Sequence, residues 1–311
     1  MSLEKELLKK TNNDFCFLTS SGSASIILAL ISSNIPLGSE ILLPSLCCPA
    51  VLFAIQVAGF KYKLVDVDIT TFNIDIKNIQ KSLSEKTSAI IAVHMYGIPC
   101  PIKDISLFCK KNNLILIEDS CLIFPSTDNN YQVLNNDADF SIISFGYDKP
   151  ITANYGGAIF TNNDKFKKRI EQNLKKNKFL NFKTDSSLKD KILKKLSKIN
   201  IENEKRIENI KLIESIINKK YLISERTLSK FPLWRYPIIL ENIDQKNFIK
   251  ELKKKDLIVT NHYQSLSKLS FSAICPNSEY IANHIINIFI HSKVDQIDIK
   301  SKIRLLNTFT N

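Results

Sequence analysis

The chain is poor in several things that would have defined its class at once. No stretch approaches the roughly 20 consecutive apolar residues of a membrane-spanning helix. The N-terminus, Met1-Ser2-Leu3-Glu4-Lys5-Glu6, lacks the apolar core of a signal peptide, so a cytoplasmic protein with no membrane partner is expected. Histidine is scarce, with four residues, and neither a His-x-x-His cluster nor a CxxC pair occurs, so no metal is expected. Seven cysteines (16, 47, 48, 100, 109, 121, 275) form an odd set lying mostly in apolar stretches. They read as reduced, structural thiols rather than a disulfide framework. Acidic residues are also short, 31 against 43 basic, which leaves a net charge of +12. Such a balance can attract nucleic acid, a membrane surface or an anionic small molecule. Much of the excess falls between Lys165 and Lys220, in a chain rich in Lys, Asn and Ile throughout, and no recognised nucleic-acid motif is present. The run therefore reads as solvated helix faces, and no nucleic-acid partner is expected.

What is there is a large core in the making. The 311 residues are 44% hydrophobic and suggest about two domains. The first two-thirds alternates strand-like and helix-like segments. Phe15–Thr19, Glu40–Pro44, Tyr62–Asp68, Ala89–His94 and Leu114–Ile117 read as strands. Ala24–Ile31 and Ala50–Ala58 read as helices between them. That rhythm predicts an α/β fold, a mainly parallel sheet with helices on both faces. Residues 164–220 are helical and lysine-rich, and a smaller α+β region follows from Phe231, with a helix over Lys246–Lys255, a strand over Leu257–Thr260 and a helix over Ser278–Ile286.

Ligands in open α/β sheets gather outside the carboxyl ends of strands. Gly22-Ser23, His94, Asp119 and Lys149 all follow strand-like runs. Ser20-Ser21-Gly22-Ser23 ahead of a helix leaves backbone N–H groups free for a phosphate, or simply caps the helix. Ile115-Leu116-Ile117-Glu118-Asp119 is a buried strand ending in acids, and Lys149 sits in a Gly-punctuated loop before Gly156-Gly157. An acid at a strand end and a lysine in such a loop suit pyridoxal 5'-phosphate (PLP): the amine forms a Schiff base and the acid holds the pyridinium nitrogen. Taken alone, the same lysine reads as a solvated surface charge. Arg235 suits either an anionic substrate group or a structural ion pair.

In order along most of the chain, these segments resemble the DegT/DnrJ/EryC1/StrS family, the PLP-dependent sugar aminotransferases of fold type I. Ser21-Gly22-Ser23-Ala24 resembles the family's phosphate cup, and Gly38-Ser39-Glu40-Ile41 with Pro44-Ser45 its next strand. Ala58-Gly59-Phe60, Val65-Asp66-Val67-Asp68, Lys86-Thr87-Ser88-Ala89-Ile90 and Val93-His94-Met95-Tyr96-Gly97 are similar to further blocks. Ile117-Glu118-Asp119 and Ser144-Phe145 through Lys149 to Gly156-Gly157 complete the pattern, with echoes at Arg235-Tyr236-Pro237, Cys275-Pro276-Asn277 and His291.

The resemblance implies a fold-type-I transferase with a large PLP-binding domain over residues 1–196 and a small C-terminal domain over 197–311. Lys149 would carry the cofactor and later shuttle a proton. Asp119 would pair with the ring nitrogen. Gly22, Ser23, the backbone of Ala24 and Ser144 would hold the phosphate, and Cys48 would touch the ring face. The implied reaction moves an amino group, usually from glutamate, to a keto-sugar on a nucleotide diphosphate, in a homodimer. The sequence departs from the pattern at Leu122, where the family has Gln, at Cys48, where an aromatic is usual, and at Asn154-Tyr155 before the paired glycines. An Asn/Arg block that reaches the partner subunit is not recognisable after Lys168, and the chain is shorter there. These departures keep open a non-catalytic or regulatory descendant of the same fold. The family's sugar dehydratases carry His in place of the lysine, so Lys149 argues against that chemistry.

Overall fold

The computed structural model describes residues 2–125, 133–182, 186–222, 228–269 and 273–308. The chain opens with helix α1 (Leu3–Leu8). Strand β1 (Phe15–Thr19) leads into α2 (Gly22–Ser32), β2 (Glu40–Pro44) into α3 (Pro49–Val57), and β3 (Lys61–Val65) into α4 (Ile76–Ser82). Then come β4 (Thr87–Val93), α5 (Ile102–Lys111), β5 (Ile115–Asp119), β6 (Phe140–Ser144) and β7 (Gly157–Thr161). Three helices follow, α6 (Asp164–Lys176), α7 (Ser186–Leu196) and α8 (Ile199–Ile216). The chain closes with β8 (Arg235–Ile239), α9 (Gln245–Lys254), α10 (Pro276–His284), β9 (Ile285–Phe289) and α11 (Gln296–Thr308).

Seven strands form one sheet in the order β1-β7-β6-β5-β4-β2-β3, and β8 and β9 form a second, antiparallel pair. β7 runs antiparallel to both of its neighbours, β1 and β6, while the other pairings in the large sheet are parallel. The expected fold, a mainly parallel sheet flanked by helices with a smaller α+β part, is the one observed. Six of the seven residues of β4 and all five of β7 are buried, because helices cover both faces of the sheet. Alternation along β6 divides the core: Phe140 and Ile142 join the main cluster, whereas Ile143 packs with Leu3, Leu7, Ile192 and Leu196 from α1 and α7. α8 packs instead on α11. No helix among the described residues is long and apolar enough to cross a membrane.

The lysine-rich stretch behaves as its spacing predicts. Asn163 caps α6 by accepting from Lys165 N–H (2.9 Å), Phe166 and Ile170 face the core one turn apart, and the lysines line the outer face. Two expected strands end differently. The one predicted over Tyr62–Asp68 stops at Val65, because Asp66 turns to cap α10: its carboxylate accepts from Asn277 N–H and Ser278 N–H, each at 3.0 Å. The one predicted over Leu257–Thr260 reduces to a single bridge between Thr260 and Asn287.

Candidate active site

The carboxyl edge of the large sheet gathers the expected residues. Ser21 caps α2 through its Oγ, which accepts from Ala24 N–H at 3.1 Å. Gly22 then packs so tightly that an added Cβ would lie 3.1 Å from both Cys121 Sγ and Ser144 Cβ. A Cβ on Gly157 would lie 2.7 Å from the Ser21 carbonyl carbon and 2.8 Å from Ile143 O. The starts of α2 and β7, the end of β6 and the turn after β5 therefore meet at one point, and glycine permits that approach. Ser23 lies in the first turn of α2, and Ser144 Oγ accepts from Gly146 N–H at 3.2 Å. Of the expected phosphate donors, the Ala24 N–H is the one engaged by the helix cap.

Glu118 and Asp119 leave β5 on opposite faces. Glu118 is buried in a structural network: Oε1 is 3.0 Å from His94 Nε2 and accepts from Leu134 N–H at 2.9 Å, and Oε2 accepts from Ser141 Oγ–H at 2.5 Å. Because Cys100 N–H donates to His94 Nδ1 (2.8 Å), Nε2 carries the imidazole proton toward Glu118. Burial alone would raise the Glu118 pKa, but His94, Ser141 and the Leu134 amide outweigh it and hold the carboxyl below its ordinary value. His94 thus serves the core beneath the site. Asp119, also buried, faces the site, where Cys121 N–H donates to its Oδ1 at 3.0 Å.

Electrostatics link the remaining members. Burial pushes the Cys121 thiol up, Asp119 adds to this and Lys149 opposes it. Cys47 is raised by burial, then by Cys48 and Asp119. The Tyr263 phenol is raised by burial and then by Cys48, Tyr96 and Asp119. Partial burial and then the Arg235 cation lower His262, with Asp148 opposing and Lys149 reinforcing. Lys149, Asp119, Cys48, Cys121, His262 and Tyr263 therefore share one field. Cys48 is half-buried at the N-cap of α3. Leu122 is buried in the main core, and Tyr155 packs away on Phe182, with ring centroids 5.5 Å apart.

Arg235 is committed to structure. Its guanidinium lies between the Trp234 and Phe289 rings, 4.1 and 4.0 Å from their centroids, and it bonds Thr260 Oγ1 and the Asp148 carboxylate. Sequence reasoning read a strand over Leu257–Thr260 but missed the strap that continues from it to residue 266. Tyr263 stacks on Trp234 (5.9 Å) and on Tyr96 (6.4 Å), and its N–H donates to Tyr96 Oη at 3.1 Å. The strap has no helical or strand period, so the available signal was its aromatic pair, His262-Tyr263, beside the chain's single tryptophan.

Among the described residues no group of three or more His, Cys, Asp or Glu side chains could hold a metal. A cavity of about 220 Å³ opens away from this edge, lined by Ser106, Cys109, Lys110 and Asp139. It does not hold the converging lysine, acid and glycine groups, so chemistry rather than volume picks the site.

The model of the DegT/DnrJ/EryC1/StrS aminotransferase family matches residues 1–306. GDP-perosamine synthase of Escherichia coli O157:H7 is 32% identical over 159 residues, 51% of this chain and 43% of that protein. A dTDP-3-amino-3,6-dideoxy-alpha-D-galactopyranose transaminase of Aneurinibacillus thermoaerophilus is 31% identical over 169 residues, 54% of this chain and 46% of that protein. The chain thus spans a little under half the length of these curated relatives. Among solved structures, NtdA of Bacillus subtilis with bound cofactor PMP superposes with a TM-score of 0.85 at 21% identity, covering 99% of this chain and 76% of that one. DesI in the presence of its TDP-sugar product gives 0.87 at 17% identity, covering 98% and 83%. Both likenesses establish the fold. With the family match running from residue 1 to residue 306, the chain belongs to the DegT/DnrJ/EryC1/StrS aminotransferase family.

Proposed function

We propose that the chain is a PLP-dependent aminotransferase that moves an amino group, from glutamate, to a keto-sugar on a nucleotide diphosphate in surface-glycan or antibiotic-sugar synthesis. The observation that carries this reading is that Asp119 and Lys149 both act on Cys121, whose sulfur borders the Gly22–Ser144 junction. The residues fit the cofactor in kind: a helix N-terminus that begins on a glycine, a buried acid and a half-buried lysine. Ser23, Ser144 and the first-turn amides of α2 other than that of Ala24, which Ser21 caps, would hold the phosphate, because a helix N-terminus offers N–H groups without intrahelical partners. Asp119 would keep the ring nitrogen protonated. Lys149 would hold the cofactor and move a proton at the substrate carbon. Cys48 would touch the ring face. PLP supplies an electron sink when bound.

The relatives' names, a GDP-perosamine synthase and a dTDP-sugar transaminase, support a nucleotide-linked substrate. All seven cysteines are free, which fits a reducing cytoplasm. The packing of α7 on α1 and of α8 on α11 supports a large unit ending at residue 196 and a small one from 197. Exposed Phe53 and Val57, one turn apart on α3 just past Cys48, support a homodimer whose interface borders the site.

The test is an absorbance scan of the purified chain with PLP, before and after borohydride, then with glutamate. A visible band, trapped by borohydride and bleached by glutamate, is expected. No band at saturating PLP refutes the reading. The buried Leu122 in place of a hydrogen-bonding side chain favours a second reading, a non-catalytic descendant, which predicts PLP uptake without bleaching by glutamate.

A further inference from the structure

Lys149 is held from the far side by the small sheet. The residue before it, Asp148, has a φ of 54°, in the left-handed region. Two consecutive residues, one just before β8 and one opening it, grip it there. Trp234 Nε1–H donates to Asp148 O at 2.6 Å, and Arg235 pairs with the Asp148 carboxylate. Neither gripping residue is free to wander. Arg235 is 4% exposed, sandwiched between two rings and bonded to Thr260. Arg206 on α8 fixes the backbone behind them, donating to Leu233 O at 3.0 Å and to Trp234 O at 2.8 Å. Trp234 N–H in turn donates to Tyr96 O at 2.8 Å, which ties the same point back to the turn after β4.

Building on the cofactor reading above, we propose that Trp234 and Arg235 are positioning residues that latch Asp148 and thereby fix the direction in which Lys149 leaves the chain. The backbone carbonyl and the carboxylate of one residue are both fixed, so the 148–149 peptide plane and the Lys149 Cα are set by the small domain. A lysine has four rotatable side-chain bonds, and its reach toward a cofactor depends on a fixed starting point. The latch also sets charge. Lys149 acts on His262 on the strap, together with Asp148 and Arg235 of the latch, and on Cys121, together with Asp119 and Cys48. With Asp148 and Arg235 paired, the cation is balanced beside the lysine.

Two variants of the full chain test this, Trp234→Phe, which keeps the ring and removes the donor, and Asp148→Asn, which keeps the shape and removes the charge. PLP is titrated into each by absorbance, the pH at which the visible band of the bound cofactor switches is recorded, and unfolding is followed alongside. Trp234→Phe is expected to weaken PLP binding about fivefold to tenfold, the worth of one ordinary hydrogen bond. Asp148→Asn is expected to lower the switching pH, because a negative charge next to the lysine in the chain is lost. If Trp234→Phe does not fold, Asp148→Asn decides on the same readouts. Variants that melt earlier yet bind PLP and switch as the wild type does overturn the latch and leave the cofactor reading standing. A wild-type chain that takes up no PLP overturns that reading and the latch with it.

Discussion

Replacing Gly157 with alanine would place a methyl group inside backbone. Its Cβ would lie 2.7 Å from the Ser21 carbonyl carbon and 2.8 Å from both Ser21 O and Ile143 O. Real Cβ atoms essentially never come within 3.0 Å of other atoms, and no flexible side chain is there to turn aside. Gly157 pairs with Thr19 on one side and Ser144 on the other. Relief therefore requires the N-cap of α2 to move off the β1-β7-β6 edge. Overpacking of this kind costs about 1–3 kcal/mol. At roughly 2 °C per kcal/mol for a chain of this size, calorimetry should show a melting point lower by about 2–6 °C. PLP affinity should fall at least about tenfold, because on the proposed reading the displaced α2 N-terminus would carry the phosphate donors. Gly146→Ala is the control. Its Cβ would meet Ser144 Oγ at 3.2 Å, a rotatable hydroxyl, so melting should change by about 1 °C or less. Equal behaviour of the two variants would refute the claim that the α2–β7 junction is both tight and part of the phosphate site.

Glu118→Gln removes the charge that His94, Ser141 and the Leu134 amide stabilise, and should cost about 1–3 kcal/mol at neutral pH in denaturant unfolding. The Glu118 pKa is lower in the folded chain than its ordinary value of 4.5, so the stabilisation is full above 4.5 and declines as pH falls through the folded value. The variant should therefore lose less stability than the wild type across that acid range; parallel curves would count against the network. Phe53→Glu with Val57→Glu puts two charges on the exposed turn of α3; on the proposed reading the wild type should sediment as a dimer and this variant as a monomer. A dimer of unchanged strength would place the interface elsewhere.

Much of this architecture is legible in the sequence because burial on both faces writes itself as unbroken apolar runs. β4 and β5 are such runs, and their carboxyl ends carry His94 and Asp119. Chain order then brings Gly22, Asp119 and Lys149 to one edge, since parallel strands with crossover helices point their ends the same way. What the sequence conceals is set by distant partners. β3 stops at Val65 because Asp66 is taken by amides more than 200 positions later. The structural role of Arg235 is set by Asp148, Thr260 and two rings, none of which the sequence shows to be its neighbours in space apart from the adjacent Trp234.

The same distinction bears on the departures from the family pattern. Cys48 offers little surface to a ring, and Leu122 offers no hydrogen bond. Read segment by segment, that describes a site losing its parts. Read in space, the edge keeps an aromatic wall, supplied by Tyr263 stacked on Trp234 and Tyr96 from elements that follow no period. Tyr263 feels both Cys48 and Asp119, so this wall lies within electrostatic reach of the carboxylate that would hold the ring nitrogen. The Lys149 loop, in turn, is gripped by the small sheet through Asp148. A surface lysine needs no such hold, and a buried arginine held between two rings is a costly way to anchor an idle loop. The arrangement makes sense if the position of Lys149 matters, which is why cofactor uptake, more than fold, is the measurement on which the family assignment turns into chemistry.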